Sequence, residues 1–318
     1  MLRVRATLMV LRASELRSAR FFGQIISMIV YLNGSYLPKA ELCISPDDRG
    51  FLLGDGVYEV VRAFDGCFFR AGAHWQRLKR SMAAIQINGP AEPEVQKVAE
   101  TLLEKNNLRS GEATVYLQVT RGAAPRKHGF PQPPVPATVY AFAAPFNPPH
   151  EKWQAGIRAI TVPDNRWARC DIKVISLLAN VLANQQAQST GAQEAIFIRD
   201  GAVIEGSHSN FAAVRDGALI TYPESNYILN GITRMAVLEL CRDLKVPVRE
   251  FPLFEHELRS VDEAMLLGTT TDVMPVIKIN DWQVGNGQPG PVTRRLQQAL
   301  KELVSREKAG RGVANATA

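Results

Sequence analysis

Apolar residues along this chain follow two different spacings, and each spacing predicts one kind of element. Apolar side chains recur every three or four residues over 73–85, where Trp75, Leu78 and Met82 share one face, and again over 94–105. This is the spacing of an amphipathic helix. Elsewhere apolar and polar residues alternate, which predicts strands. The strands predicted in the first half are residues 29–32, 56–64, 67–70, 114–121 and 135–142.

The second half repeats this mixture after a proline-rich stretch over 144–150. Two adjacent prolines there, Pro148 and Pro149, can neither continue a helix nor donate to a strand ladder, so we expect a domain boundary. Beyond it the sequence predicts helices at 173–188, 233–243 and 292–304, and strands at 157–162, 194–199, 203–204, 210–214, 248–252, 263–267 and 276–279. Because helices and strands do not alternate strictly, we expect an α+β fold with an N-terminal domain over 28–147 and a larger C-terminal domain over 151–305.

Positive charge is concentrated at the N-terminus. The 318 residues have a formal net charge of +6, of which residues 1–27 contribute +4 through five arginines and one glutamate. We expect this segment to be a disordered basic leader, an organelle-targeting leader or an over-extended start that precedes Met28. The rest of the chain has no strong positive field, which argues against nucleic-acid binding. Residues 306–318 are mostly small or polar, and we expect them to be frayed.

Composition narrows the class of protein further. Hydrophobic residues make up 46% of the chain, enough for a packed core, yet no 18-residue apolar run predicts a transmembrane helix. The four cysteines are scattered without metal-ligand spacing: Cys43, Cys67, Cys170 and Cys241. Unpaired thiols are typical of a reducing compartment, so we expect a cytoplasmic protein without a metal site.

Three segments carry residues that could bind or react. Lys173 begins an apolar stretch, where burial would lower the pKa of its amine toward the value that Schiff-base chemistry needs. A lysine that merely extends from a helix end to solvent fits the same pattern. Gly231-Ile232-Thr233 opens a predicted helix whose backbone N–H groups suit a phosphate, although an ordinary helix cap is also compatible. The hydroxyls of residues 269–271 could bind the same anion or could simply end a strand.

Two more segments are equally open when they are taken alone. Glu205 interrupts an alternating strand, and its carboxylate could be an edge charge or could protonate a heterocyclic nitrogen. The loop over 120–131 is rich in glycine and proline and carries Arg126, Lys127 and His128. A guanidinium suits a carboxylate ligand, although a solvated basic loop would have the same sequence.

Together and in this order, the segments resemble the fold-type IV pyridoxal-phosphate enzymes, and within them the D-amino acid transaminase branch. The resemblance covers about residues 29–304 and rests on five ordered blocks. These are residues 48–61, residues 118–128 with Pro125-Arg126 and His128, residues 166–173, Glu205-Gly206-Ser207, and Gly231-Ile232-Thr233-Arg234. The resemblance implies a small α/β N-terminal domain, a larger C-terminal pseudo-barrel domain, and pyridoxal 5'-phosphate in the cleft between them.

The resemblance also implies a role for each matching residue. Lys173 matches the lysine that forms the Schiff base and moves the α-proton, and Glu205 matches the carboxylate that keeps the pyridine nitrogen protonated. The other matches to cofactor contacts are Arg77, Leu229, Gly231, Ile232, Thr233 and Thr269. The matches to the trap for the substrate α-carboxylate are Tyr58, Arg126 and His128. In the D-specific branch the last two come from the neighbouring subunit, so a homodimer is implied.

The implied reaction is ping-pong transamination of small molecules. A D-amino acid such as D-alanine or D-glutamate gives its amino group to the cofactor, and 2-oxoglutarate or pyruvate then accepts it. The loop with Arg126 and His128 favours D-amino acids, because L-branched-chain enzymes lack this pattern. The alternatives are an L-branched-chain aminotransferase, an R-selective amine transaminase, an aminodeoxychorismate lyase and a non-catalytic cofactor carrier. Departures from the family pattern at Lys127, His208 and Gly268 leave the substrate range open.

Overall fold

The computed structural model describes residues 28–316, so the expectations for the basic leader lie outside the described residues. The α-helices are α1 (Arg49–Leu53), α2 (Ala71–Ala84), α3 (Glu92–Lys105), α4 (His150–Ala155), α5 (Leu178–Ser189), α6 (Ile232–Asp243) and α7 (Pro291–Ala316). The strands of the first half are β1 (Ile29–Leu32), β2 (Ser35–Pro38), β3 (Gly56–Phe64), β4 (Cys67–Phe68), β5 (Glu112–Thr120) and β6 (Thr138–Pro145). Those of the second half are β7 (Ile157–Pro163), β8 (Glu194–Arg199), β9 (Ala202–Gly206), β10 (Asn210–Arg215), β11 (Ala218–Thr221), β12 (Val248–Glu250), β13 (Glu263–Gly268), β14 (Asp272–Ile279) and β15 (Trp282–Gln283).

The first half forms an antiparallel sheet covered by two helices. Its strand order is β2-β1-β6-β5-β3-β4, and the register aligns Tyr58 of β3 with Gln118 of β5. The predicted apolar face of α2 is confirmed, because Trp75, Leu78 and Met82 are buried in one core with residues of β3, β5 and α3. Alternate residues of β3 and β5 point into this core, as expected for a half-buried sheet.

The second half forms a sheet that closes on itself. Its path is β12-β11-β10-β13-β14-β7-β8-β9, with β15 paired to β14. A further pairing of Asn210 with Glu205 joins β10 back to β9, so the strands from β10 to β9 form a closed ring. Parallel pairing of β7 with β8 and β14 makes the sheet mixed. The α+β class and the pseudo-barrel are therefore confirmed.

The predicted helix over 173–188 begins too early. The structure starts α5 at Leu178, and residues 173–177 are not helical. Val174 instead forms a bridge with Val57, and the Ser176 hydroxyl donates to the carbonyl oxygen of Gly54. Contacts with the first sheet thus override the local helical spacing, and Lys173 lies on an extended segment rather than at a helix end.

The remaining expectations concern boundaries and surroundings. The two sheets lie on either side of the proline-rich stretch, while the domain limits themselves stay a prediction. The last helix continues to Ala316, across residues that we expected to be frayed. All four cysteines are free thiols. None of the described helices has the length and apolar character needed to cross a membrane, and the cytoplasmic location stays a prediction.

Candidate active site

A large cavity collects almost all of the predicted site residues. Its volume is about 1360 Å³, and both sheets contribute to its wall. The predicted site residues that line it are Tyr58, Arg77, His128, Lys173, Glu205, Leu229, Gly231, Ile232, Thr233 and Thr269. Arg126 is exposed and is not part of this wall. The cavity is large enough for a cofactor together with a small substrate.

Backbone contacts with the first sheet fix Lys173. Its carbonyl oxygen accepts a hydrogen bond from the amide of Tyr58 (2.9 Å), and its own amide donates to the Ser81 hydroxyl (3.3 Å). The side chain extends into the cavity, with Nζ 4.3 Å from the centroid of the Tyr58 ring. The amine therefore rests against an aromatic face, where a cation–π contact is available to its charged form.

Glu205 is a buried carboxylate that is held by three donors. Oε1 accepts from the Arg166 guanidinium, and Oε2 accepts from the Asn210 side chain (3.0 Å) and the Leu229 amide (3.1 Å). Burial raises the pKa of Glu205, while Arg166 and the Leu229 amide oppose this effect. Arg166 is itself fixed by Asp164 (2.8 Å). The carboxylate thus has a defined orientation and can hold a proton on a nitrogen that approaches it from the cavity.

Arg77 is oriented by a second buried cluster. Its Nε and Nη2 donate to the two oxygens of Glu59 at 2.6 and 3.0 Å, and His74 Nδ1 lies 2.9 Å from Glu59 Oε2. Burial lowers the pKa of His74, so the neutral ring donates its Nδ1–H to the carboxylate. Arg77 Nη1 also donates to the carbonyl oxygen of Asn230 (3.1 Å), which places the guanidinium beside the start of α6.

The N-terminus of α6 offers donors to an anion. Gly231 is the residue before the first helical turn, and no side chain caps the helix there. The first backbone N–H groups of a helix have no partner within the helix, and the helix dipole favours negative charge at this end. Thr233 and Thr269, which both carry hydroxyls, line the same cavity as Arg77. This donor set suits a phosphate group.

Buried charged side chains hold the backbone of the basic loop over 120–131. Arg49 Nη1 donates to the carbonyl oxygens of Lys127 (2.6 Å) and Gly129 (3.3 Å), and its Nε donates to Asp55 (2.8 Å). Arg121 also donates to Asp55, at 2.8 Å, and stacks on the ring of Phe130. This anchoring fixes the backbone around His128, while the Arg126 side chain stays exposed.

Several residues that build the site were not predicted as site residues. They are Glu59, His74, Asp164, Arg166, Glu194, Asn210 and the anchoring set Arg49, Asp55 and Arg121. Most of their partners are distant in sequence, as with Arg166 and Glu205, which are 39 residues apart. Local signals existed for His74, which lies three residues before Arg77 on one helical face, and for Arg49, Asp55, Arg121 and Arg166, which lie within the blocks that carry the resemblance.

Comparison with known proteins identifies the family of the chain. Residues 56–279 match the amino-transferase class IV family. The chain is 42% identical over 276 residues to the D-alanine aminotransferase of Staphylococcus haemolyticus, which covers 86% of this chain and 97% of that protein. It is 41% identical over 283 residues to the D-alanine aminotransferase of Bacillus licheniformis, covering 89% of this chain and 99% of that protein.

Solved structures with the same fold include branched-chain amino acid aminotransferases. The Escherichia coli enzyme has a TM-score of 0.82 at 27% identity and covers 88% of this chain and 96% of its own. The Thermoproteus uzoniensis enzyme, solved with norvaline, has a TM-score of 0.79 at 28% identity and covers 88% of this chain and 96% of its own. By the family match and by relatives that align over nearly their whole length, the chain belongs to the class IV aminotransferases.

Proposed function

We propose that this protein is a pyridoxal-phosphate-dependent transaminase that moves the amino group of a D-amino acid, above all D-alanine, to a 2-oxo acid such as 2-oxoglutarate or pyruvate. The observation that carries the proposal is the shared cavity of Lys173, buried Glu205 and the anion site at α6. The two D-alanine aminotransferases at 41–42% identity support the choice of substrate over that of the branched-chain enzymes at 27–28%.

The residues present fit a phosphorylated pyridine cofactor. The uncapped start of α6, Thr233, Thr269 and the Arg77 guanidinium would hold the phosphate. Glu205 is linked to this anion site through the 229–231 segment, because the Leu229 amide donates to its carboxylate. A carboxylate and an anion site joined by one rigid segment match the two polar ends of such a cofactor. Leu229 itself lines the cavity and would pack on the ring.

The roles of the protein residues follow from their chemistry. When bound, the cofactor supplies a carbonyl carbon for the amino group and a ring that stabilises negative charge at the substrate Cα. Glu205 would keep a proton on the ring nitrogen. Lys173 would anchor the cofactor and then move the proton at the substrate Cα, since its amine is the base exposed beside Tyr58. Tyr58 would position the α-carboxylate from within the same chain.

We further propose that Arg126 and His128 serve the site of a partner subunit in a homodimer. Arg126 is exposed and lies off the wall of its own chain's cavity. An apolar face for an interface exists on α5, where Leu178, Val181 and Leu182 are 71%, 59% and 61% exposed. Val181 also lines the cavity, so a chain packed on this face would reach the site.

The direct test is a half-reaction followed by visible absorbance. D-alanine should bleach the band of the bound cofactor, and 2-oxoglutarate should restore it, whereas L-leucine should do neither. Lys173→Ala should abolish turnover, while the matched control Lys79→Ala on the exposed side of α2 should retain it. Bleaching by L-leucine alone would instead support a branched-chain aminotransferase, and retained turnover in Lys173→Ala would refute the proposed mechanism.

The shared site has its own test by complementation. Lys173→Ala and Arg126→Ala are each expected to be inactive. In a mixed dimer, one site combines the intact Lys173 with the intact Arg126, so mixing after unfolding and refolding should recover about a quarter of wild-type activity. If Arg126 acts within its own chain, the mixture will stay inactive.

A further inference from the structure

An imidazole outside the proposed machinery also faces the cavity. His208 lies in the short connection between β9 and β10, where the ring of strands closes. Its neighbours Ser207 and Ser209 are buried, but the His208 side chain is 55% exposed and forms part of the wall that Lys173 also lines. The exposure of His208 is therefore exposure to the cavity.

A buried carboxylate fixes the orientation of this ring. His208 Nδ1 lies 2.9 Å from Glu194 Oε2 on β8. Glu194 Oε1 accepts from the amides of Ala195 (2.8 Å) and Ser207 (3.1 Å), and also from the Ser207 hydroxyl. With Nδ1 directed at Glu194, Nε2 is on the opposite side of the ring. Among residues 28–309, whose side chains the structure describes, Nε2 has no hydrogen-bond partner.

Charge on the ring follows from this pairing. Glu194 is 2% exposed, and His208 is the ion-pair partner found for it in the described part of the chain. A buried carboxylate is stable when a cation compensates it. Burial of the ring works to lower the pKa of His208, but the hydrogen bond and charge of Glu194 outweigh it, and the pKa is raised.

The other groups around His208 are few. Lys173 lines the same cavity, and its positive charge works to lower the pKa of His208. Helix α5 contributes only neutral amides, since Asn180 donates to the Ser207 carbonyl (2.8 Å) and Asn184 to the Ser207 hydroxyl (3.3 Å). These contacts hold the connection in place and bring no further charge to the ring.

We infer that His208 is a specificity-determining residue that binds the distal carboxylate of an acidic D-amino acid or of a dicarboxylic 2-oxo acid. The inference rests on the proposed function, because it assumes that the substrate Cα is placed at Lys173. The substituents of that carbon then project toward the cavity wall. On this wall the charged imidazole offers a free N–H donor, and a charge-assisted hydrogen bond to a carboxylate is the contact that it suits. A methyl side chain gains nothing from it.

The test compares two substrates in His208→Gln. The ratio of kcat/KM for D-glutamate to kcat/KM for D-alanine should fall about tenfold in this variant, the size expected for the loss of one charge-assisted hydrogen bond. The matched control His256→Gln, at an exposed histidine outside the cavity, should leave the ratio unchanged. Lys127→Gln tests a cation of the basic loop that does not line this cavity. If Lys127→Gln lowers the ratio and His208→Gln does not, the inference is overturned.

Two further measurements complete the test, one of binding without turnover and one of pH dependence in the wild-type protein. In calorimetry, the wild-type protein should bind glutarate more tightly than valerate, and this difference should be lost in His208→Gln. In the wild-type protein the D-glutamate to D-alanine ratio should decline as the pH rises through the pKa of His208, because Nε2 then loses its proton. An equal loss of both activities in His208→Gln, or a ratio that does not change with pH, would overturn the inference. No turnover of D-alanine by the wild-type protein would instead refute the proposed function.

Discussion

Glu59→Gln best distinguishes the contacts that position the Arg77 side chain from the anion that Arg77 would bind. Glu59 is fully buried and accepts two hydrogen bonds from Arg77 and one from His74. Glutamine keeps the shape but removes the negative charge. Its amide NH₂ must also face a donor, either on Arg77 or on His74. The variant therefore leaves a buried guanidinium without a counter-charge and adds a donor–donor contact.

The expected loss in the free energy of unfolding is large. Removing one partner of a buried ion pair costs about 3–5 kcal/mol. At roughly 2–4 °C per kcal/mol for a chain of this size, the melting temperature of the cofactor-free protein should fall by at least about 6 °C. The matched control is Glu104→Gln on α3, because Glu104 is 66% exposed and pairs with an Arg109 that is 62% exposed. A surface pair of this kind contributes less than about 1 kcal/mol.

Thermal unfolding with and without anion completes the assay. If Arg77 faces a phosphate site, added inorganic phosphate gives the guanidinium a new partner and should stabilise Glu59→Gln more than the wild-type protein.

The pKa of Glu59 is held well below its ordinary value, because Arg77 and His74 outweigh the effect of burial. Its contribution to stability is thus present above the ordinary carboxyl pKa and is lost as the pH falls below it. The gap in melting temperature between wild type and variant should narrow in acid. A loss no greater than that of Glu104→Gln would refute the reasoning.

Two further predictions concern the loop and the anion site. Arg49→Lys removes the guanidinium that binds the carbonyls over 127–129. The KM for the amino acid should therefore rise about tenfold with little change in kcat. Steady-state kinetics measures both constants, and an unchanged KM would contradict this prediction. In Gly231→Ala the new Cβ would overlap Asn210 Oδ1, whereas nothing lies within 4 Å at Gly72. Cofactor affinity measured by absorbance titration should fall at least tenfold in Gly231→Ala and stay unchanged in Gly72→Ala, and equal affinities would contradict it.

The sequence predicts elements well where a local pattern decides them. The apolar face of α2 is predictable because its spacing is set within one helix, and only the ends of the helix differ from the prediction. Its start differs because Arg70, just before the helix, has a positive φ of 54° that no pattern of apolar residues reports. The helix predicted for the segment after Lys173 is wrong, because a contact that is distant in sequence decides the conformation there. Its apolar run has helical spacing, but pairing of Val174 with Val57 decides its conformation.

The site residues divide in the same way, into those that a local pattern indicates and those that only the fold brings together. The residue types that touch a cofactor recur in short blocks, so the resemblance indicates Lys173, Glu205 and Gly231. The charges that orient them are set by the fold. Arg166 meets Glu205, and Glu194 meets His208, only because strands of the closed ring bring them together. No spacing rule links these pairs, so only the structure could identify them.

The position of Arg126 bears both on selectivity for D-amino acids and on the formation of a homodimer. Its guanidinium is exposed on its own chain, while the buried Arg49 anchors the loop through backbone carbonyls and leaves the Arg126 side chain free. A guanidinium that selects D-amino acids must reach a cavity, and we propose that a second chain packed on the apolar face of α5 would bring it there. Selectivity for D-alanine and a homodimer thus become one proposal. If the protein proves to be a monomer that is still selective for D-alanine, the selection must come from the polar wall of its own cavity, where Tyr58, His128 and His208 lie.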